Sequence, residues 1–128
     1  MHFKAQVLSI QTNKTSSFIS FKSALGEIAC ITLQAPHGLK VGAKVFLGFK
    51  SADVLLSLTP CALLGANELK ARVLGIKQTK ILSALSLECA DFIFEALLDS
   101  FNAAKIAPND EIFAYISHTS LYIDEVLC

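Results

Sequence analysis

Residues 50–54, Lys-Ser-Ala-Asp-Val, place a cation and a hydroxyl together between two apolar runs. Lys50 supplies positive charge, and Ser51 supplies an O–H group. The backbone N–H groups of Ser51 and Ala52 add further donors. Converging donors of this kind are what a small oxyanion needs. The alternative interpretation is a solvated turn in which Asp53 is the partner of Lys50.

Other site chemistries lack support in the sequence. The cysteines form no Cys-x-x-Cys pair and do not cluster with the histidines (Cys30, Cys61, Cys89, Cys128, His2, His37, His118). We therefore predict reduced structural thiols, no metal site and no cofactor. No nucleophile motif accompanies a histidine, so the chain is not predicted to be an enzyme. The nine phenylalanines are predicted to lie in the core.

The composition favours a compact protein located in the cytoplasm. Of 128 residues, 53% are hydrophobic and 17% are charged, which excludes a disordered chain. No apolar run reaches the roughly 18 residues of a membrane span, so no membrane insertion is expected. The first residues lack the apolar region and cleavage site of a signal peptide.

The net charge is zero but is unevenly distributed. Residues 1–64 contain six lysines and two acids (+4), and residues 65–128 contain five basic residues and nine acids (−4). Such asymmetry favours head-to-tail pairing of two copies, although chance explains it equally well. The basic character is too weak for nucleic acid binding.

The chain contains two copies of one sequence pattern. Segment AQVLSIQTNKTSSFISF (5–21) aligns with ARVLGIKQTKILSALSL (71–87), and seven of the seventeen positions are identical. Pro60, which cannot donate to a strand ladder, marks the joint. We predict a first domain at 1–61 and a second at 62–128. Because halves of this size are marginal alone, we expect them to pack on each other or exchange strands.

Within each half the pattern is typical of strands. Partial alternation with β-branched and aromatic residues predicts five strands in the first half, at 4–11, 17–21, 27–33, 45–50 and 54–58. Gly42 is expected at a positive-φ turn position. A strand to residue 98 and a short helix at 99–105 are predicted in the second half. The repeated serines (Ser17, Ser20, Ser83, Ser86) are interpreted as outward-facing. The fold class is all-β: two tandem OB-like five-stranded β-barrels, each with one short helix.

These segments resemble the molybdate-binding Mop/TOBE family in its tandem form. KARVLGI (70–76) and FKAQVLSI (3–10) are similar to the opening strand of the family, and LKVGAKVFLGFKSADVLLS (39–57) is similar to its closing turn and strand. The resemblance implies small OB-like barrels that assemble into homo-oligomers, with a dimer favoured. It also implies molybdate or tungstate binding where barrels meet, with Lys50, Ser51 and Ala52 in one binding segment.

The remaining binding segments depart from the family pattern. The Ser-Ala-Arg-Asn motif of the family corresponds to Leu64, Gly65, Ala66 and Asn67, where the serine and arginine are missing. The second copy of the lysine segment is Ser117, His118 and Thr119, which lacks the lysine. The alternative interpretation of residues 65–67 is a linker turn, and that of residues 117–119 is an ordinary polar turn.

The resemblance implies a cytoplasmic oxyanion-binding module for molybdenum buffering, sensing or transport regulation. The chain has no helix-turn-helix segment and no Walker A motif, so it is predicted to be a free-standing module. The alternative is a degenerate interaction module that dimerises and regulates a transporter or regulator without binding the oxyanion. Single-stranded nucleic acid binding is disfavoured by the acidic second half.

Overall fold

A computed structural model describes residues 1–127; Cys128, one of the predicted reduced thiols, lies outside the described residues. The described chain is all-β, as predicted, with one α-helix, α1, and one 3₁₀ turn. The elements are β1 (His2–Thr12), β2 (Ser17–Ser23), β3 (Gly26–Thr32), β4 (Lys44–Gly48), the 3₁₀ turn (Ser51–Asp53), β5 (Val54–Ser57), β6 (Ala66–Gln78), β7 (Leu82–Cys89), β8 (Phe92–Asp99), α1 (Ser100–Ala103), β9 (Glu111–Ser117) and β10 (Tyr122–Val126).

The strands form two five-stranded sheets that belong to two compact units. The first unit contains Met1–Phe49 and the chain from Ser117 onward, and the second unit is Lys50–Ile116. The first sheet has the order β10-β4-β1-β2-β3, and the second has the order β5-β9-β6-β7-β8. Each sheet therefore takes four strands from one half of the sequence and its fifth strand from the other. Strand exchange was one of the two arrangements expected for the halves, and the compact units are bounded differently from the division at residue 61.

The exchange also changes how charge is distributed. The first unit contains five lysines and three acids (+2), and the second contains six basic residues and eight acids (−2). The difference shrinks because Lys50 belongs to the second unit, whereas Asp124 and Glu125 belong to the first. Head-to-tail pairing of copies therefore has less electrostatic support than the sequence halves implied.

Both units use the repeated positions for their cores. Ala5 and Val7 on β1 are buried, as are the aligned Ala71 and Val73 on β6. Each of these long strands has a shift in register at the same place, directly after the valine. Several phenylalanines depart from the core prediction, most clearly Phe101, whose side chain is exposed.

The outer strands of each sheet approach one another. In the first unit β3 contacts β10, and the Ile31 N–H donates to the His118 carbonyl at 2.8 Å. In the second unit β5 contacts β8. A sheet whose outer strands approach in this way is strongly curved, as in small barrels.

The helix and serine predictions are partly wrong. In the second unit α1 begins after Asp99, whose carboxylate accepts from the Asn102 N–H at 2.9 Å. In the described part of the first unit no α-helix occurs, because residues 34–39 form only turns. Ser17 and Ser83 face inward, with exposures of 4% and 1%. The Ser83 hydroxyl lies 2.8 Å from that of Ser100, and such a partner makes burial of a serine tolerable.

The turn before β4 has the predicted positive φ. Gly42 has φ +90°, and its N–H donates to the Val7 carbonyl at 2.9 Å. Its counterpart in the second unit is Asn109, with φ +74°, which donates to the Val73 carbonyl at 2.7 Å. Each turn is therefore hydrogen-bonded to the long strand beside it, β1 or β6, at the valine that precedes the register shift.

We expect Gly42→Ala to lower the free energy of unfolding by about 1 kcal/mol. The cost arises from the left-handed backbone, which strains an L-residue by this amount. A steric clash is not expected, because no described atom beyond the two adjoining residues lies within 4 Å of the added methyl group. Gly75→Ala is the matched control, since Gly75 lies in a strand and its added methyl is also unobstructed. Urea denaturation of both variants should show a loss only for Gly42→Ala; equal losses would contradict the conformational explanation.

Candidate functional site

The Lys50–Ala52 segment forms a tight turn at the start of the second unit. Lys50 is extended and exposed, and its carbonyl accepts from the Asp53 N–H at 3.0 Å. Within residues 1–127 the N–H groups of Ser51 and Ala52, the first two of the turn, have no acceptor. No ion pair joins Lys50 to Asp53 in this part of the chain. The turn thus presents an uncompensated ammonium group, a half-buried hydroxyl and two N–H donors.

The Gly65–Asn67 segment has a mainly structural role. Gly65 has φ +76°, and Ala66 begins β6. Asn67 is only 7% exposed, and its side-chain Nδ2 donates to the Ile116 carbonyl at 3.2 Å. At least one of its amide hydrogens is therefore used to join β6 to the end of β9.

The second sheet brings these two segments to the same end. Ile116 pairs with Val54, the first residue of β5, and accepts the hydrogen bond from Asn67 on its other side. Adjacent strands lie about 4.8 Å apart, so the backbone at Val54 and that at Asn67 are separated by about 10 Å. The turn that contains Ser51 ends directly before Val54. The closeness of the Ser51 turn to Asn67 follows from the strand pairing and not from the sequence resemblance.

The Ser117–Thr119 segment belongs to the first unit. The Ser117 and Thr119 hydroxyl oxygens are 2.9 Å apart, and the Ser117 Oγ also accepts from the Thr119 N–H at 3.2 Å. The Ser117 carbonyl accepts from the Ser120 N–H at 2.9 Å. The His118 ring packs edge-on against Phe18, with ring centroids 5.5 Å apart. The two hydroxyls of this turn thus contact each other, while His118 packs on β2 and its carbonyl accepts from β3.

A groove of about 640 Å³ runs beside this turn in the first unit. Thr119 is the only predicted site residue on its wall, where Thr32 and Gln34 add polar atoms. The other walls are mainly apolar, from residues such as Leu33 and Tyr122. An oxyanion would find few donors there.

A polar cluster in the second unit was not predicted from the sequence. The Tyr115 hydroxyl donates to Glu68 Oε2 at 2.7 Å and accepts from the Cys61 N–H at 2.7 Å. Burial, and then the Glu68 carboxylate, raise the pKa of Tyr115. The hydroxyl therefore stays protonated and ties the segment around Cys61 to the sheet. The sequence signal for this cluster is the tyrosine Tyr115 inside an otherwise apolar strand, since a buried hydroxyl needs a hydrogen-bond partner.

Neither a metal-binding cluster nor a membrane-spanning helix is found in the described residues. Residues 1–127 contain no group of three or more His, Cys, Asp or Glu side chains placed to hold a metal ion. No helix in that range is both long enough and apolar enough to span a membrane.

The comparisons with known proteins concern the fold. No protein-family model and no curated protein matches the sequence. A solved structure of ModG, a cytoplasmic molybdate-binding protein crystallised with molybdate bound, matches with a TM-score of 0.87. The match covers 96% of this chain and 94% of the ModG chain, with 17% sequence identity. At that identity the similarity establishes a shared fold.

Proposed function

We propose that this protein binds molybdate or tungstate in the cytoplasm and serves to buffer the oxyanion, sense it or regulate its transport. Two independent signals support the proposal. The fold matches ModG over nearly the whole chain, and the turn identified by sequence resemblance presents Lys50, Ser51 and free N–H donors at one end of a sheet. The agreement of the two is the observation that carries the function.

The donors at this turn suit a tetrahedral dianion. The Lys50 ammonium group supplies a charge-assisted hydrogen bond, and the Ser51 hydroxyl and N–H with the Ala52 N–H supply neutral ones. These groups cover one side of an anion. We therefore propose that a second copy completes the shell in a homo-oligomer, with a dimer favoured, and that each curved sheet closes into an OB-like barrel.

The alternative function is a degenerate module that binds a transporter or regulator protein and no oxyanion. One observation favours it: the polar groups expected at the other segments are engaged within the chain. Asn67 donates to Ile116, and the hydroxyls of Ser117 and Thr119 contact each other. On this view only the Lys50 turn retains anion-binding groups.

Calorimetric titration distinguishes the two functions. We expect molybdate or tungstate to bind with saturable heat and to raise the melting temperature, while sulfate at equal concentration does neither. A ligand at about 100 times its dissociation constant stabilises the folded state by roughly 2.7 kcal/mol. Absence of heat and of a melting shift with both metal oxyanions would reject the oxyanion function and leave the interaction module.

A further inference from the structure

The outward face of the first sheet contains three lysines that form no ion pair within residues 1–127. Lys22 on β2 and Lys44 on β4 both lie opposite Gln6 on β1, one on each side. Lys4 is two residues before Gln6 on the same strand. These residues, together with Ser23, line a shallow groove of about 480 Å³. We call this surface the lysine face.

Three lysines and two acids leave the lysine face with a small excess of positive charge. Within residues 1–127 none of the three lysines forms an ion pair. Two acids share this face: Glu27 on β3 lies opposite Lys22, and Glu125 on β10 lies opposite Phe46, but neither forms an ion pair with these lysines. The Lys4 ammonium group instead lies 5.9 Å from the centre of the Phe46 ring.

The second unit has the same face with its charges paired internally. The aligned residues are Lys70, Arg72, Glu88 and Glu111. Lys70 contacts Glu111 at 3.3 Å, and Arg72 contacts Glu88 at 3.1 Å. The two acids stand where the first unit has Lys44 and Lys22. The two surfaces therefore differ in charge pairing: the second unit pairs two basic residues with two acids, whereas the three lysines of the first form no ion pair within residues 1–127.

We propose that the lysine face binds a carboxylate-rich segment of a partner protein. The charge calls for an acidic occupant, because the three lysines outnumber the two acids of the face and none of the three forms an ion pair within residues 1–127. The Lys22 and Lys44 backbones are two strand spacings apart, about 10 Å, which fits an extended segment laid across the strands.

Smaller and larger anions fit the face less well. The three lysines are exposed, and strand pairing uses the N–H groups between them, so no converging donors enclose a single oxyanion. Nucleic acid binding needs exposed aromatic rings for base stacking. Phe46, the aromatic side chain beside the lysines, is only partly exposed and is approached by Lys4.

A fluorescein-labelled hexaglutamate peptide is the probe for this face. At 50 mM NaCl we expect its anisotropy to rise saturably with the intact chain and the affinity to fall several-fold at 200 mM NaCl. The triple variant Lys4→Gln, Lys22→Gln, Lys44→Gln should weaken binding at least tenfold. A triple variant of the second unit, Lys77→Gln, Lys80→Gln, Lys105→Gln, removes equal charge and should weaken it less than twofold.

A gain-of-binding variant provides a second and opposite test. Glu88→Lys with Glu111→Lys places lysines at the positions that correspond to Lys22 and Lys44, beside Lys70 and Arg72, and we expect it to create a second peptide site. Equal weakening by both lysine triples, no peptide binding, or failure of the gain variant would overturn the proposal. Stronger competition from a thymidine oligonucleotide than from unlabelled peptide would also overturn it. Molybdate titration is a separate readout, so failure of the oxyanion function would be seen independently.

Discussion

Replacement of Lys50 by alanine should weaken molybdate binding by about ten- to a hundred-fold. A hydrogen bond from a charged donor contributes roughly 1.5–3 kcal/mol, and each 1.4 kcal/mol is a tenfold change in affinity. No acidic side chain in residues 1–127 pairs with Lys50, so its removal disrupts no ion pair. The folded state should therefore keep its stability, and calorimetry of wild type and variant measures the loss of affinity alone.

Lys80→Ala is the matched control for this experiment. Lys80 is also an exposed lysine of the second unit, but it follows the end of β6 that is far from Asn67. The Lys80→Ala substitution removes the same charge and leaves the Ser51 turn intact, so we expect the affinity for molybdate to change less than twofold. If the two variants lose affinity equally, the anion responds to net charge and the Lys50 turn is not its site. Ser51→Ala should lie between them, because it removes one neutral donor.

Leu121→Ala should destabilise the first unit by about 2–5 kcal/mol, the usual cost of truncating a buried leucine. Leu121 is 3% exposed and directly precedes β10, whose Tyr122 pairs with Gly48 of β4. Since β10 belongs to the first sheet, amide hydrogen exchange should show the main loss of protection in β1–β4. This tests the strand exchange itself, because Leu121 comes from the second half of the sequence.

Val54→Ala is the mirror experiment. Val54 aligns with Leu121 in the repeat, is 3% exposed and begins β5, which pairs with β9 in the second sheet. We expect its protection losses in β6–β9, and a smaller total loss because fewer atoms are removed. A chain divided at residue 61 without exchange would give the reverse pattern: Leu121→Ala would affect β6–β9, and Val54→Ala would affect β1–β4.

Local structure was largely predictable from the sequence. The alternation of buried and exposed residues along β1 and β6 follows from the period of a strand, in which successive side chains point to opposite faces. Gly42 was predicted at positive φ because glycine adopts that conformation with least strain. The helix after Asp99 is also local, since its cap lies within three residues. The all-β class and the Lys50 turn follow from the same short-range rules.

Functional detail was less predictable because it depends on partners distant in sequence. Asn67 was expected to face an anion, yet its amide reaches Ile116, 49 residues away. Ser83 was expected to face solvent but is buried against Ser100. The composition shows excess lysine in the first half, but only the sheet registers place Lys22 and Lys44 on either side of Gln6.

The sequence by itself determined most of the strands, the main turns, the repeat and the position of the turn that we propose binds an anion. The tertiary structure decided which strand completes each sheet. The physical reason is that β5 and β10 occupy equivalent positions in the repeat, so either one offers β4 or β9 a similar ladder of backbone hydrogen bonds. Local pattern cannot choose between two such strands. The choice depends on the path of the whole chain, and it places the Lys50 turn in the same sheet as Asn67.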